Sequence, residues 1–262
     1  MKILALALYV LCISFSFATA AEPITITVVY NNVAYSKNCT TNWGLSIYIQ
    51  GLTDTILFDT GGDGAILLSN METLGVNPKS IETVVLSHIH WDHIGGLTAL
   101  LENNSDVSVY LPSSFPDNVI SSVNSVAQSV VLVDKPQKIC AQVWTTGELG
   151  TSMKEQSLVI VTEKGLIIIT GCAHPGIVNI VEFAKEYWQD DIYLVLGGFH
   201  LMAYTEHQVK EIISRLKALG VEKVAPSHCT GGRPIELFKE AWQEDFIDLG
   251  CGAKVSIGSN DE

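Results

Sequence analysis

Three histidines and one aspartate fall within six residues, His88-Ile89-His90-Trp91-Asp92-His93. The cluster directly follows the apolar stretch 83–86, which reads as a short strand, and precedes Gly95-Gly96, where a helix can begin in close backbone contact. Leaving the strand as a loop, His88 and His90 can point to one side, while Asp92 and His93 open the next turn and point to a neighbouring position. Imidazole and carboxylate are good ligands for Zn²⁺, Mn²⁺ or Fe²⁺. The fold must therefore carry a strand into a metal-binding loop and then into a helix.

The rest of the chain alternates in the same way. β-type runs are expected at 24–30, 45–50, 55–59, 107–111, 158–162, 166–170, 192–196 and 221–225, the last two of these ending at Gly197-Gly198 and Pro226. Turns at 51–54 and 163–165 predict hairpins. The clearest helix spans about 206–219, with capping-box spacing at Thr205 and Gln208, an apolar stripe Val209, Ile212, Ile213, Leu216, Leu219, and Gly220 as its stop. Further helices are predicted after Gly95 and at 117–128, 177–188 and 234–242, the last with proline at its first position. This order predicts an α/β sandwich of two sheets packed face to face with helices outside. No linker is visible, so residues 21–262 read as one domain.

Residues 1–20 read as a cleaved signal peptide: Met1-Lys2, an apolar run to Phe17, and the small-x-small site Ala18-Thr19-Ala20. The run is short for a membrane span, so no stable membrane insertion is expected after cleavage, and the protein is expected to be secreted or periplasmic. Cleavage moves the formal charge from −13 to −14, because one lysine leaves with no acid. That charge disfavours nucleic acid and anionic membranes as partners, yet it permits an anionic small molecule beside a metal site. With 47% hydrophobic and 16% charged residues, the chain has the composition to fold. Of six cysteines, Cys12 leaves with the leader; Cys39, Cys140, Cys172, Cys229 and Cys251 remain, odd in number and without a C-x-x-C pair. An oxidising compartment permits one bridge but no disulfide framework is expected. Asn38-Cys39-Thr40 and Asn103-Asn104-Ser105 are glycosylation sequons. The oligomeric state is left open.

His-x-His-x-Asp-His behind a short strand resembles the signature of the metallo-β-lactamase superfamily, and Leu57-Phe58-Asp59-Thr60-Gly61 resembles that superfamily's Asp-Thr-Gly strand end. Residues 171–180, 196–201 and 227–231, with Tyr30-Asn31-Asn32 and 43–46, resemble the subgroup related to the archaeal dihydropterin–ribofuranosylaminobenzene phosphate synthase. The resemblance covers nearly all of the chain after the leader. It implies a four-layer αββα sandwich holding two divalent metal ions, zinc first and manganese or iron as alternatives.

Carried over by motif, the resemblance assigns His88 and His90 to the first metal, and Asp92, His93 and His228 to the second. Asp59 orients these ligands rather than binding. His174 is the third ligand expected at the first metal, since no histidine occurs between His93 and His174. The turn Thr170-Gly171-Cys172 puts Cys172 where superfamily members carry a bridging aspartate. It is read either as a thiolate ligand or as a small buried residue. His200 is a candidate for hydrogen-bonding substrate or developing negative charge, or else a buried structural histidine; His207 is read as surface. Thr230, Gly231, Gly232 and Arg233 form a Gly-rich helix entry that could take an anion.

The chemistry expected is hydrolysis of a small, anionic substrate, a phosphate ester or related ester, by a metal-activated water. Asp92 is expected both to bind metal and to orient the nucleophile. The alternatives are a synthase-like transferase and a ligand-binding or signalling protein that keeps the metals without turnover. A leader argues against the former, since pterin cofactors are built in the cytoplasm.

Overall fold

The computed structural model describes residues 23–258. The expected leader lies outside them, and among the described residues no helix is long and apolar enough to cross a membrane. The strands are β1 (Ile24–Asn31), β2 (Leu45–Gln50), β3 (Ile56–Phe58), β4 (Thr83–Val85), β5 (Ser108–Pro112), β6 (Ser129–Val133), β7 (Gln137–Lys138), β8 (Val143–Thr145), β9 (Leu158–Thr162), β10 (Gly165–Thr170), β11 (Ile192–Gly198), β12 (Lys223–Ser227) and β13 (Lys254–Ile257). The helices are α1 (Gly64–Leu74), α2 (Trp91–Ile94), α3 (Leu97–Asn103), α4 (Asp117–Asn124), α5 (Ile177–Trp188), α6 (Glu206–Ala218) and α7 (Gly232–Trp242).

Two sheets result, ordered β13-β1-β2-β3-β4-β5-β6 and β12-β11-β10-β9-β8-β7. Strand β10 shows why they stack. Both of its faces are apolar, as suits a strand covered on both sides. Ile167 and Ile169 enter a core between the sheets with Ile26, Ile47, Phe58 and Val85. Leu166 and Ile168 face the other way, against Ile180 and Val181 of α5, Val209 and Leu216 of α6, and Phe238 of α7. The outer face of the first sheet is covered in the same manner, Leu57 and Val84 packing on Leu67 and Met71 of α1 and Leu100 and Leu101 of α3. The layers are therefore helix, sheet, sheet, helix, the sandwich expected. In β1 the register shifts between Val28 and Tyr30, which moves Val29 and Tyr30 to the outer core while Ile26 and Val28 stay inside.

Strands β3 through β6 pair in parallel through helical crossovers, as do β10, β11 and β12. Both hairpins form as expected, β2–β3 and β9–β10, and α6 carries the full capping box at Thr205 and Gln208.

Several expectations need correction. Helix α1 was not foreseen, although Asp63 caps it through the Ile66 N–H and Gly75 closes it in a left-handed conformation (φ 72°). β12 runs through Pro226 instead of stopping before it; it is an edge strand of its sheet, where a missing N–H is tolerated. α7 begins at Gly232, so Pro234 is its third residue, and α4 ends at Asn124 rather than near 128. The strands β6, β7, β8 and β13 also went unread.

Candidate metal centre

The carboxyl ends of β3, β4, β10, β11 and β12 meet, and the loops leaving them supply the candidate ligands. Such a confluence is where open parallel sheets place their ligand sites. Asp59 leaves β3 with a left-handed backbone (φ 58°) and is fully buried. Its Oδ1 accepts the Ser87 backbone N–H at 2.7 Å, and its Oδ2 accepts Ser87 Oγ–H at 2.7 Å and His93 Nδ1–H at 2.6 Å. Because the Ser87 hydroxyl donates to Asp59, it accepts His88 Nδ1–H at 2.9 Å. One carboxylate thus fixes the tautomer of two histidines and turns their Nε2 lone pairs inward, the usual service of an outer partner to a metal ligand. Close packing sustains the arrangement: a Cβ on Gly171 would stand 2.1 Å from Ser87 Oγ.

The inward nitrogens form two groups. His88 Nε2 lies 3.0 Å from His90 Nδ1, and His174 Nε2 lies 3.1 Å from the same atom. The second group is Asp92, His93, His228 and Cys172, all buried, their ligand atoms within 4.8 Å of one another. His93 Nε2 is 3.2 Å from Cys172 Sγ and 3.6 Å from Asp92 Oδ2. His228 donates Nδ1–H to Asn32 Oδ1 at 2.6 Å. Its Nε2 then sits 3.3 Å from Asp92 Oδ2, yet among the described residues it is a buried nitrogen with no hydrogen-bond partner.

Charge follows from burial and neighbours. Burial, reinforced by the facing imidazoles, depresses His88 far below the ordinary range and takes His174 down to about 4; His90 is also lowered, by burial first. These rings are neutral at pH 7, the form that binds metal. Burial works against ionising Asp92, but His228 and His93 outweigh it and hold the carboxyl at about 2. Burial likewise opposes a charge on His93, which the Asp59 carboxylate overcomes, lifting it to about 9, so a metal would bind there by displacing the Nε2 proton and leaving Nδ1–H on Asp59.

The residues present fit divalent metal. Three imidazole nitrogens converge with at most a shared proton between them, and a second set joins two imidazoles, a carboxylate and a thiol around the orphaned His228 Nε2. Buried polar atoms are normally paired, and a cation would satisfy this one.

Glu155 was missed by sequence reasoning. It lies in the turn-rich segment 146–157, far from any motif, and no local signal marks it. Fully buried, it accepts the backbone N–H groups of Cys172 at 2.9 Å, Ala173 at 2.8 Å and His174 at 2.8 Å. It thereby shapes the loop that carries two candidate ligands. Asn32 and Ser87 were also missed as ligand-orienting residues.

His200 stands at the exposed rim, with a left-handed backbone (φ 54°) and its ring 4.4 Å from that of His174, and with Cys172 and His174 it makes a third set of candidate ligand atoms within 4.8 Å of one another. The buried alternative for this residue is thereby excluded. A hydrogen bond with Cys229 raises its pKa despite partial burial. Beside it opens a cleft of about 180 Å³ bounded by His174, Phe199, Leu201 and Tyr204. Trp43 flanks the opposite side, its ring 5.0 Å from that of His228.

The expected anion entry at the start of α7 is corrected. Arg233 pairs with Glu206 at 2.7 Å, Glu236 at 3.0 Å and Glu240 at 3.4 Å, so its charge is already matched by carboxylates. Thr230 Oγ–H donates to Ser227 O at 2.6 Å and its oxygen accepts the Phe199 N–H. Gly231 and Gly232 still open α7, but neither side chain of this group reaches for a ligand. His207 is on the surface as expected, 3.6 Å from Glu211.

Residues 44–117 match the sequence profile of the Metallo-beta-lactamase superfamily. Across 85% of this chain and 91% of the relative, the sequence is 32% identical to the 7,8-dihydropterin-6-methyl-4-(beta-D-ribofuranosyl)-aminobenzene-5'-phosphate synthase of Methanocaldococcus jannaschii. A crystal structure described as a metal-dependent hydrolase of the beta-lactamase superfamily superposes with a TM-score of 0.76 at 26% identity, over 90% of this chain and 100% of that one. Human tRNase Z, short form, shares the fold at a TM-score of 0.60 and 15% identity, over 89% of this chain and 99% of that one.

Proposed function

We propose that this chain, which belongs to the metallo-beta-lactamase superfamily, is a metal-dependent hydrolase of a small anionic ester, with a phosphate ester as the first candidate. The observation that carries the reading is the pair of facing donor groups, with the buried, unpartnered His228 Nε2 inside one of them. His88, His90 and His174 would hold one divalent ion. Asp92, His93 and His228 would hold the second, with the Cys172 thiol contributing in place of a carboxylate. When bound, such ions supply Lewis acidity and an activated water.

The chain's own residues complete the work. Asp92 is ionised throughout the working range and can accept a proton-bearing water and aim it at the substrate. His200, on the exposed rim, has its basicity raised by the hydrogen bond with Cys229, and so can bind an ester oxygen or protonate a departing one. Trp43 and the cleft beside His200 hold the uncharged part of the substrate and keep water from the reacting centre.

A synthase-like transferase is the second reading, favoured by the 32% identity to the archaeal synthase. Reading residues 1–20 as a leader places the reaction outside the cytoplasm and favours the hydrolase. The test is a panel of chromogenic phosphomonoester, phosphodiester, thioester and lactone substrates, run with and without added zinc, manganese or iron. Metal-dependent turnover of one class, lost on His200→Ala with metal content unchanged, supports hydrolysis. Tight metal binding with no turnover across the panel counts against it and favours the transferase or a binding protein.

A further inference from the structure

Two cysteines far apart in sequence and outside the metal centre meet at one side of the first sheet. Cys39 lies in the loop after β1, and Cys251 lies just before β13, in backbone contact with the residues that follow β1. Cys251 N–H donates to Val33 O at 2.8 Å, and Cys251 O accepts the Ser36 N–H at 2.9 Å. Its thiol is buried and sits beside the backbone of the Cys39 neighbour, 3.8 Å from Thr40 O. Asn70 clamps the same spot, donating from Nδ2 to Thr40 O at 2.9 Å and to Cys251 Sγ at 3.3 Å. From the other side, Cys39 Sγ is only 3.1 Å from where a Cβ on Gly252 would stand.

We propose that Cys39 and Cys251 are a disulfide site, closed by thiol–disulfide exchange with an external disulfide. Cys39 is the accessible member, half-buried against a fully buried Cys251. Its thiolate attacks the external disulfide, forms a mixed disulfide and expels one thiol. Cys251 sulfur then attacks Cys39 sulfur and expels the second thiol. The two cysteines are oxidised, the external disulfide is reduced to two thiols, and the cysteine protons end on those thiols.

The bridge has a consequence for the site. The tethered loop runs directly into Trp43, which packs against His228, and into Gly44, whose Cβ position is blocked at 2.5 Å by Asp92 O. Closing it fixes one wall of the metal centre to the C-terminal segment. It also links residues more than two hundred positions apart, which restricts the unfolded chain strongly. A second pair, Cys172 and Cys229, lies close together as well, Cys229 Sγ being 3.6 Å from Cys172 O. Cys172 faces His93 among the candidate donors, so a bound metal would hold that thiol away from oxidation.

The test uses the zinc-loaded protein in a buffer of oxidised and reduced glutathione, followed by alkylation, intact mass and peptide mapping. The expected result is a mass lower by two hydrogens, a Cys39–Cys251 cross-linked peptide, and alkylated Cys140, Cys172 and Cys229. Reduction should lower the Tm by roughly 5–15 °C, a shift absent from Cys39→Ser. Alkylation of both Cys39 and Cys251, glutathione retained on Cys39, or a Cys172–Cys229 link in their stead would overturn the proposal. The mapping is done on the unaltered chain, so its outcome does not depend on how well the variant folds.

Discussion

Asn32→Ala isolates one hydrogen bond whose loss should be felt at one metal and not at the other. Asn32 Oδ1 accepts His228 Nδ1–H at 2.6 Å, and its Nδ2 donates to His228 O at 3.3 Å. The first of these bonds fixes which nitrogen of that ring faces Asp92. Removing the acceptor leaves the Nδ1–H unsatisfied in a partly buried position, which costs about 1–3 kcal/mol, and frees the ring to flip. Outer partners of metal-bound histidines are typically worth about 10–100-fold in affinity, equal to roughly 1.4–2.7 kcal/mol, so the two routes to the magnitude agree. His88, His90 and His174 take no orientation from Asn32. Competition against a chromophoric chelator, which resolves a tight and a weak ion, should therefore show the second ion weakened by that factor and the first unchanged. Asn32→Asp keeps the acceptor and should bind near the wild-type level. Equal weakening of both ions, or none, would refute the assignment of His228 to a separate group.

Glu155→Gln preserves shape but sets an amide N–H₂ against one of three backbone N–H groups, and should weaken the ion held by His88, His90 and His174 while lowering the Tm; differential scanning fluorimetry with chelator competition checks both. Gly171→Ala drives a methyl into Ser87 Oγ and should cost about 1–3 kcal/mol of stability, seen in denaturant melts, together with loss of bound metal. In the reduced protein, burial pushes the Cys251 thiol up to about 12. Its thiolate is scarce at pH 8 and its sulfur is shut off from solvent, so alkylation there should be far slower than that of Cys39; timed iodoacetamide labelling with mass mapping compares the two.

What the sequence revealed depended on range. His88, His90, Asp92 and His93 are neighbours in the chain, and a loop leaving β4 and opening into the turn of α2 separates them into the two groups observed. His228, far away in sequence, was assigned only through the resemblance, whose last histidine it matches. Asp59 stood out through its Asp-Thr-Gly turn, and its contacts with Ser87 and His93 match the orienting role. Glu155 could not be read, since its partners are backbone N–H groups of another loop and any buried acid there looks like a surface acid. Asn32 was read as part of the subgroup's opening motif, which says nothing of a ring brought to it by β12. Arg233 misled for the same reason. Its partner Glu236 sits one helical turn on, but Glu206 arrives only when α6 packs on α7. Helix α1 was overlooked because Thr60-Gly61-Gly62-Asp63-Gly64 reads as loop, although Asp63 and Gly75 mark its two ends.

Whether these two groups of side chains hold metal is decided by elemental analysis of the purified protein beside His88→Ala. Near two ions per chain are expected in the wild type, with a clear drop in the variant. A wild type that binds no metal after refolding with zinc, manganese or iron, or a variant that keeps the full complement, would contradict that assignment.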